Sequence, residues 1–270
     1  MSHQSHLNQV HQLAMTLAQR AGETAVKMRE QSLSKEYKRG SELVTNADLA
    51  IDKLLTSGII AEYPEHQILA EESNPDWSSI KHADTPFWVL DPIDGTVNYA
   101  HGFAQSAISI AYCEGSKPLV GVVHNPFNGE TFHAVSGQGA LLNNEKIAPS
   151  RQDNLQRALV ATGFPYDRTA RAQLMPKVAM ILEHCADIRR MGAASLDICN
   201  VACGRLDAYW ESLSLWDHAA AQVIAKEAGC MFGHLNEGDP NVPEAYWCDD
   251  IIVANTELYS PFKALLLESE

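Results

Sequence analysis

Carboxylate residues follow apolar stretches directly at several points of this sequence. Residues 87–90, Phe-Trp-Val-Leu, are typical of a buried strand, and Asp91 and Asp94 follow where that strand should end. Glu71 and Glu72 come after a second short apolar run. Half-buried carboxylates need a cation or several hydrogen-bond donors to be tolerated. Some positive charge must therefore accompany them.

Two further aspartates, Asp48 and Asp217, lie at the starts of predicted helices. Strand ends and helix starts are the places where α/β proteins build their functional sites. Mg²⁺ takes oxygen ligands and usually retains waters and a substrate phosphate. Carboxylates that end or begin separate apolar elements therefore predict a magnesium site.

Each of these features taken alone also has a purely structural explanation. Asp217 could be only a helix cap, Glu71 and Glu72 could belong to a solvated loop, and the Asp-Pro-Ile-Asp-Gly-Thr stretch could be a turn around Gly95. For any single feature the structural explanation is the commoner one. Their combination in one chain favours the metal site.

Gly95 and Thr96 predict a phosphate site beside these carboxylates. If a helix begins after Gly95, its first N–H groups can bind a phosphate. The Thr96 hydroxyl could either cap that helix or take part in proton transfer. Magnesium beside a phosphate site predicts phosphoryl transfer to water. No Gly-x₄-Gly-Lys-Ser/Thr loop is present, which argues against a nucleotide-driven kinase or ATPase.

The composition is that of an ordinary globular protein with a sizeable core, with 270 residues, 46% apolar and 20% charged. We expect one domain over residues 1–270, built as two halves that meet near residue 150. A net charge of −14 disfavours direct contact with nucleic acid or anionic membranes. No stretch is typical of a secretory signal or a membrane span. Six cysteines without a Cys-x-x-Cys pair indicate reduced thiols and a cytoplasmic location.

Hydrophobic periodicity predicts the elements that position the candidate residues. Helices are predicted over residues 5–31, 47–62, 168–184, 194–203, 216–228 and 256–268. Strands are predicted over residues 67–70, 87–90, 106–113, 118–124, 131–135, 158–162, 188–191, 206–211 and 251–254. Asn128-Gly129 predicts a hairpin, and residues 74–86 are predicted to form a polar loop. We expect helices on both sides of two sheets.

The histidines and cysteines are not expected to contribute ligands. Four histidines lack the spacing of metal ligands: His101, His124, His133 and His218. A site built from hard oxygen ligands does not need them, and core or surface roles are favoured. Cys199 and Cys203 share one face of a predicted helix, but a thiol metal site needs more ligands than two, so packing is the favoured role.

Three motifs carry a resemblance to a known family. They are Ala70-Glu71-Glu72-Ser73, Trp88-Val-Leu-Asp91-Pro-Ile-Asp94-Gly-Thr96-Val-Asn-Tyr-Ala-His101 and Trp216-Asp217-His218-Ala219-Ala220-Ala221. In order and spacing they resemble the inositol monophosphatase family, and the likeness covers nearly the whole chain. The resemblance implies an α/β (α+β) fold layered as an α/β/α/β/α sandwich. It also implies Mg²⁺ dependence, a homodimer and inhibition by lithium.

The resemblance further implies roughly two or three Mg²⁺ ions in each active site. Glu71, Asp91 and the backbone carbonyl of Ile93 would hold the first ion. Asp91, Asp94 and Asp217 would hold the second. All of the residues implied as metal ligands are present in this sequence.

Catalytic and substrate-binding roles are implied in the same way. Glu71 and Thr96 would activate the attacking water, with Asp48 orienting the Thr96 hydroxyl. The backbone N–H groups of Gly95 and Thr96 would bind the phosphate. The other residues expected at the substrate are Asp94, Gly192, Ala193, Ala194, Glu211 and Asp217. Glu211 lies six residues before Asp217, where the family usually has seven, so the substrate loop is one residue shorter.

The resemblance favours myo-inositol 1-phosphate, a small phosphorylated alcohol, as the substrate. The same kind of metal site also serves histidinol phosphatases, fructose-1,6-bisphosphatases and 3′(2′),5′-bisphosphate nucleotidases, which stay open as alternatives. A different class of function is a regulatory dimer that binds another protein. A panel of substrates with released phosphate as the readout would separate the enzymatic alternatives.

Overall fold

The computed structural model describes residues 2–31, 34–38, 42–74, 76, 85–165, 169 and 171–268. These ranges contain seven α-helices and fourteen β-strands. The helices are α1 His3–Arg29, α2 Asn46–Glu62, α3 Thr96–His101, α4 Arg171–His184, α5 Ala194–Ala202, α6 Leu215–Ala228 and α7 Thr256–Leu267. The first nine strands are β1 Lys35–Lys38, β2 Glu42–Thr45, β3 Gln67–Ala70, β4 Phe87–Asp94, β5 Ala107–Glu114, β6 Lys117–Asn125, β7 Glu130–Val135, β8 Ala140–Leu142 and β9 Glu145–Lys146. The other strands are β10 Leu159–Thr162, β11 Asp187–Arg189, β12 Ala208–Glu211, β13 Met231–His234 and β14 Ile251–Ala254.

A seven-stranded sheet forms the first half of the fold, in the order β3-β4-β5-β6-β7-β8-β9. The pair β3–β4 is parallel, and the other neighbours are antiparallel. Strand β4 is buried along its whole length because helices cover both faces of the sheet there. A continuous apolar strand is the sequence pattern that such burial requires.

Helices α1 and α2 cover the outer face of this sheet. Buried residues of α1 recur every three or four positions, as in Leu7, Val10, Ala14 and Leu17, which is the spacing of one helical face. They form one apolar cluster with the sheet, in which Trp88 and its neighbours are fully buried. At about 25 cal/mol per Å², burial of these aliphatic side chains supplies much of the free energy that holds this layer.

Helices α5 and α6 form the central layer between the two sheets. Their buried side chains belong to one cluster that includes residues of both sheets. Helix α6 lies so close to β6 that a Cβ atom on Gly121 would be 2.2 Å from the carbonyl oxygen of Ala220. Only glycine permits this approach of strand and helix. The approach fixes the distance between α6 and the sheet near Ala220.

The second sheet has five strands in the order β11-β10-β12-β14-β13. The strands β11, β10 and β12 are parallel, whereas β14 and β13 run antiparallel to their neighbours. Helices α4 and α7 cover its outer face in a third apolar cluster. The layers therefore follow one another as α/β/α/β/α, and the predicted sandwich is confirmed.

The described residues also correct several predicted elements. Strands β1, β2, β8, β9 and β13 are absent from the prediction. The β1–β2 pair is a two-stranded antiparallel sheet rich in charged residues, so it lacks the apolar alternation by which strands are recognised. The strand predicted over 206–211 begins at Ala208, because the N–H groups of Arg205 and Leu206 both donate to the carbonyl of Asn200 in a turn.

The strand predicted over 188–191 is Asp187–Arg189, since the chain turns at Gly192 with a φ of 83° before α5.

Other predictions fall partly outside the described residues. Residues 168 and 170 of the helix predicted over 168–184 lie outside the described residues, as do residues 75 and 77–84 of the polar loop. In the described part of the chain, no helix combines the length and apolarity of a membrane span.

Candidate metal centre

Three carboxylates meet at the end of β4 and the start of α6. One oxygen from each of Asp91, Asp94 and Asp217 lies within 4.8 Å of the others. Asp91 and Asp94 are buried, and Asp217 is half-buried. In a regular strand, residues three apart point to opposite faces. The pairing of β4 with β5 shifts register between Asp91 and Asp94, and such a bulge can turn both side chains to one side.

Asp91 is the most strongly perturbed member of this carboxylate cluster. Burial, followed by the charges of Glu71, Asp94 and Asp217, raises its pKa well above the ordinary value of 3.8. Its Oδ1 accepts the backbone N–H of Ile93 at 3.0 Å. That bond orients the carboxylate without supplying a positive charge.

Asp217 also has the capping role that the structural explanation assigns to it. It is the third residue of α6, and its Oδ2 accepts the N–H of Ser214 at 2.8 Å. This is half of a capping box, which stabilises a helix start. The cap therefore holds the Asp217 side chain where it joins Asp91 and Asp94, so the structural and functional explanations are compatible.

Asp94 is held by the first turn of α5. Its Oδ2 accepts the N–H of Ser195 at 2.8 Å and the hydroxyl of Ser195 at 2.5 Å. Its Oδ1 accepts the N–H of Ala194 at 3.2 Å. Burial still raises the pKa of Asp94, although these hydrogen bonds oppose the shift. Helix α5 thus fixes Asp94 without neutralising the cluster.

Thr96 and Asp48 lie beside the cluster in direct contact. The Thr96 hydroxyl is 3.1 Å from Asp48 Oδ1 and 3.0 Å from the carbonyl oxygen of Ile93. The other oxygen of Asp48 accepts the N–H of Thr45 at 2.8 Å and its hydroxyl at 2.5 Å. Burial raises the pKa of Asp48. Because Gly95 is the N-cap of α3 and no side chain caps it, the alternative in which the Thr96 hydroxyl caps the helix is wrong.

Gly95 and the segment around Gly192 are packed together. Gly95 has a φ of 85°, and a Cβ atom there would lie 2.9 Å from the carbonyl oxygen of Gln105 and 3.0 Å from that of Gly192. The Asn98 side chain, one turn further along α3, donates to the carbonyl of Met191 at 2.7 Å. The segment predicted to bind phosphate therefore adjoins the segment predicted to bind the alcohol, which includes Ala193 and Ala194 at the start of α5.

Glu211 lies at the end of β12, on the second sheet. Its Oε2 accepts the Tyr209 hydroxyl at 2.5 Å. Burial raises the pKa of Glu211 to about 7. The charge of Asp94 also contributes to this rise, so the predicted substrate residue lies close enough to the cluster for the two charges to interact.

Glu71 lies near the cluster but outside it. Its N–H donates to the carbonyl of Leu90 at 3.2 Å, which places it at the end of β3 beside β4. Its charge is the second largest cause of the raised pKa of Asp91. In the described residues, the group of acidic side chains with ligand oxygens within 4.8 Å does not include Glu71. Its roles as ligand and base stay predictions.

The donor set fits a hard divalent cation. Two buried carboxylates and a half-buried one, with only oxygen atoms converging, would repel one another strongly if all were ionised. A cation of the Mg²⁺ type prefers these ligands and would offset their charge. Among the four histidines considered above, His218 and His133 are buried, His124 is half-buried and His101 is exposed, and none belongs to the group.

Comparison with known proteins agrees with this geometry. Residues 6–268 match the model of the inositol monophosphatase family. The chain belongs to this family. Membership makes it a relative of phosphatases with a metal-dependent chemistry, and the predicted resemblance is confirmed.

Individual relatives carry two kinds of name. The chain is 36% identical over 240 residues to "Nus factor SuhB" of Pasteurella multocida, covering 86% of this chain and 87% of the relative. It is 41% identical over 197 residues to "Inositol-1-monophosphatase" of a Synechocystis strain, covering 72% and 67%. The solved structure of "extragenic suppressor protein suhB" from Bartonella henselae matches with a TM-score of 0.86 and 28% identity, covering 95% and 98%.

Two residues that touch the site were missed or undervalued in the sequence. Ser195, which contacts Asp94, stands in an apolar helix and carries no motif that marks it. Tyr209, which contacts Glu211, lies in an apolar strand and carries no motif that marks it as part of a site. The Ser/Thr-x-x-Asp spacing at Thr45 and Ser214 was a usable signal, because a capping box fixes the third helical residue.

Proposed function

We propose that this member of the inositol monophosphatase family is a Mg²⁺-dependent phosphomonoesterase that hydrolyses myo-inositol 1-phosphate. The observation that carries the proposal is the convergence of Asp91, Asp94 and Asp217 at the ends of two separate elements. Their charges would offset those of the cation. The predicted phosphate residues Gly95 and Thr96 follow Asp94 directly in the chain.

Glu71, Asp91, Asp94, Asp217 and the carbonyl of Ile93 would hold the Mg²⁺ ions. When bound, the ions would make the attacking water more acidic and stabilise charge on the leaving oxygen. The chain's own residues position the other partners of the reaction.

Thr96 and Asp48 would orient the attacking water. The Thr96 hydroxyl can donate to Asp48 Oδ1 at 3.1 Å, and its own oxygen then accepts a hydrogen bond from water. Asp48 is itself fixed by two hydrogen bonds from Thr45. A carboxylate held in this way orients the hydroxyl at no further entropic cost. Glu71 would serve as the base.

The backbone N–H groups of Gly95 and Thr96 would bind the phosphate, and Glu211 would accept a hydroxyl of the substrate. Glu211 is aligned by the Tyr209 hydroxyl at 2.5 Å. Because Glu211 lies at the end of β12 on the second sheet, the substrate alcohol would bind between the two halves of the fold. A polyol such as inositol presents the hydroxyl groups that this arrangement requires.

The test is phosphate release from a panel of monoesters by the purified protein. Activity should vanish with EDTA and return with Mg²⁺, while Ca²⁺, which is larger and prefers more ligands, should support little turnover. Myo-inositol 1-phosphate should have the highest kcat/KM, above histidinol phosphate, fructose 1,6-bisphosphate and adenosine 3′,5′-bisphosphate. Full activity in EDTA would contradict the proposed chemistry, and a different preferred substrate would contradict the proposed specificity.

Further properties follow as proposals from the family. Lithium should inhibit turnover at about millimolar concentration if it enters the second metal position. The protein should be a cytoplasmic homodimer, which light scattering of the purified chain would check. A scattering mass near 29.7 kDa, that of one chain, would contradict the dimer.

A second candidate function is binding to another protein. The observation that favours it is the name "Nus factor SuhB" of the Pasteurella multocida relative, which is 36% identical. The net charge of −14 favours a protein partner over RNA. If this function dominates, a variant without turnover should still complement deletion of the gene, and failure to complement would leave the enzymatic function alone.

A further inference from the structure

Asp94 accepts three hydrogen bonds in addition to its place in the carboxylate cluster. Helix α5 directs three donors at it: the N–H of Ala194 at 3.2 Å, the N–H of Ser195 at 2.8 Å and the Ser195 hydroxyl at 2.5 Å. Ser195 is fully buried, with 0% exposure. Its hydroxyl therefore has no contact with bulk water and is committed to this bond.

These donors divide unequally between the two oxygens of Asp94. A carboxylate offers roughly four lone-pair sites, two on each oxygen. Both Ser195 donors go to Oδ2, whereas Oδ1 receives only the longer bond from Ala194. Oδ2 is thus saturated, and Oδ1 keeps the remaining lone pair. Without the Ser195 hydroxyl, both oxygens would have a lone pair left.

This asymmetry decides how Asp94 can meet a cation. Ca²⁺ accepts both oxygens of one carboxylate and takes about six to eight ligands in flexible geometries. Mg²⁺ demands a near-octahedral arrangement of fewer ligands, so one oxygen from each carboxylate suits it. When Oδ2 is saturated with hydrogen bonds, Asp94 can still supply the one oxygen that Mg²⁺ needs. It cannot supply the second oxygen that Ca²⁺ would also bind.

We propose that Ser195 is a positioning residue that restricts Asp94 to one ligand oxygen and thereby biases the cluster toward Mg²⁺ over Ca²⁺. The inference rests on the proposed metal dependence and adds a residue that sets the identity of the cation. It concerns selectivity, so Ser195 need not touch the substrate or the ions.

The test compares Ser195→Ala with a matched control, Ser150→Ala. The Ser150 hydroxyl donates to Asp207 Oδ1 at 2.5 Å, a serine–aspartate bond of the same length that lies outside the cluster. Metal-free wild type and variants are titrated with Mg²⁺ and with Ca²⁺, and binding is followed by the rise in melting temperature. The quantity compared is the ratio of the two half-saturating concentrations.

In Ser195→Ala, the half-saturating concentration of Ca²⁺ divided by that of Mg²⁺ should fall by about tenfold. This is the size expected for the loss of a hydrogen bond to a charged group. Ser150→Ala should keep the wild-type ratio even if its melting temperature falls. Ser195→Thr, which retains the hydroxyl, should stay close to wild type. Bound Tb³⁺, a Ca²⁺-like probe, should lose about one coordinated water in Ser195→Ala as Asp94 supplies its second oxygen.

The outcomes separate this inference from the proposed function. A wild type that binds Mg²⁺ and releases phosphate, with an unchanged ratio in Ser195→Ala, would overturn the role of Ser195 alone. An equal change in Ser195→Ala and Ser150→Ala would also overturn it, since any lost serine bond would then have the same effect. A wild type that binds neither cation would overturn the metal centre, and this inference with it.

Discussion

Acidic side chains have opposite electrostatic surroundings in the carboxylate cluster and in the Glu130–Arg205 pair. Glu130 lies on the surface of β7, where its two oxygens meet the Arg205 guanidinium, and this hydrogen bonding lowers its pKa. In the cluster, burial and neighbouring carboxylates raise the pKa of Asp91 well above its ordinary value. An arginine of the chain balances the charge of Glu130, whereas the charges that shift the pKa of Asp91 are those of other carboxylates.

This difference distinguishes acidic residues that stabilise the folded state from acidic residues that destabilise it. A carboxylate paired with arginine contributes a little to the free energy of unfolding. Carboxylates that repel one another in a buried place reduce it. Such a cluster persists only if function requires it, and strongly perturbed pKa values of this kind are common at functional sites. The comparison therefore points to a site completed by a cation.

The largest expected effect comes from Asp94→Asn. This change keeps the shape of the side chain and removes its charge. Turnover should fall by at least about a hundredfold, because a carboxylate that balances charge in the transition state is lost. The melting temperature of the metal-free protein should change little, because the removal of one repelling charge is offset by the loss of hydrogen bonds that Asp94 accepts from α5. Steady-state phosphate release and thermal denaturation measure the two effects.

Asp207→Asn is the control for that variant. Asp207 accepts the Ser150 hydroxyl and the N–H of Leu159 outside the cluster. Its loss should lower the melting temperature and leave turnover within about twofold of wild type. Turnover near wild type in Asp94→Asn would mean that Asp94 is only a turn residue.

A smaller but still large effect is expected at Thr96. Thr96→Ala should lose turnover heavily with little change in melting temperature, while Thr96→Ser should retain much of it because it keeps the hydroxyl. Asp48→Asn should resemble Thr96→Ala. The double variant should be little worse than either single one, since residues that act as a unit are not additive. Additive losses in kcat would show that the 3.1 Å contact between the two side chains is not part of the reaction.

The smallest expected effect is that of Glu130→Gln on the other side of the comparison. The pair with Arg205 is partly exposed, so its loss should reduce the free energy of unfolding by only about 0.5 kcal/mol. Turnover and Mg²⁺ binding should not change. Chemical denaturation and phosphate release test this together, and a clear loss of turnover would show that the two regions are not independent.

Much of the fold could be predicted from periodicity and chain order. The long amphipathic pattern of α1 and the buried run of β4 were clear because core burial dictates their sequences. Short strands such as β13 and the β1–β2 pair were missed, since four residues are too few to show a regular apolar alternation. The convergence of β4 and α6 could not be derived from local patterns, because packing of both sheets on the central helices brings them together.

Part of the candidate site could likewise be predicted from the sequence, and part could not. Asp91, Asp94 and Asp217 could be named from residue type and position at element ends, and the structure brings them together. The family resemblance was needed to connect Asp48 with Thr96. Ser195 could not be predicted, because its contact with Asp94 joins residues 101 positions apart through the docking of α5. The separation of Glu71 from the other three carboxylates also depends on side-chain geometry that the sequence does not encode locally.

The central claim is that the cluster is a cation site, and the melting temperature of the protein with and without Mg²⁺ tests it most directly. Because the pKa of Asp91 is raised in the metal-free folded state, the folded protein keeps the Asp91 proton up to a higher pH than the unfolded chain does. This contribution to stability is complete below the ordinary pKa of 3.8 and is lost as the pH rises through the folded-state value. Mg²⁺ replaces the proton, so its stabilising effect should grow with pH.

The account predicts a small rise in melting temperature with millimolar Mg²⁺ at about pH 5 and a clearly larger one at about pH 8. In Asp94→Asn the rise at the higher pH should be much reduced. Equal melting temperatures with Mg²⁺ and with EDTA at both pH values would contradict the claim that these carboxylates form a metal centre.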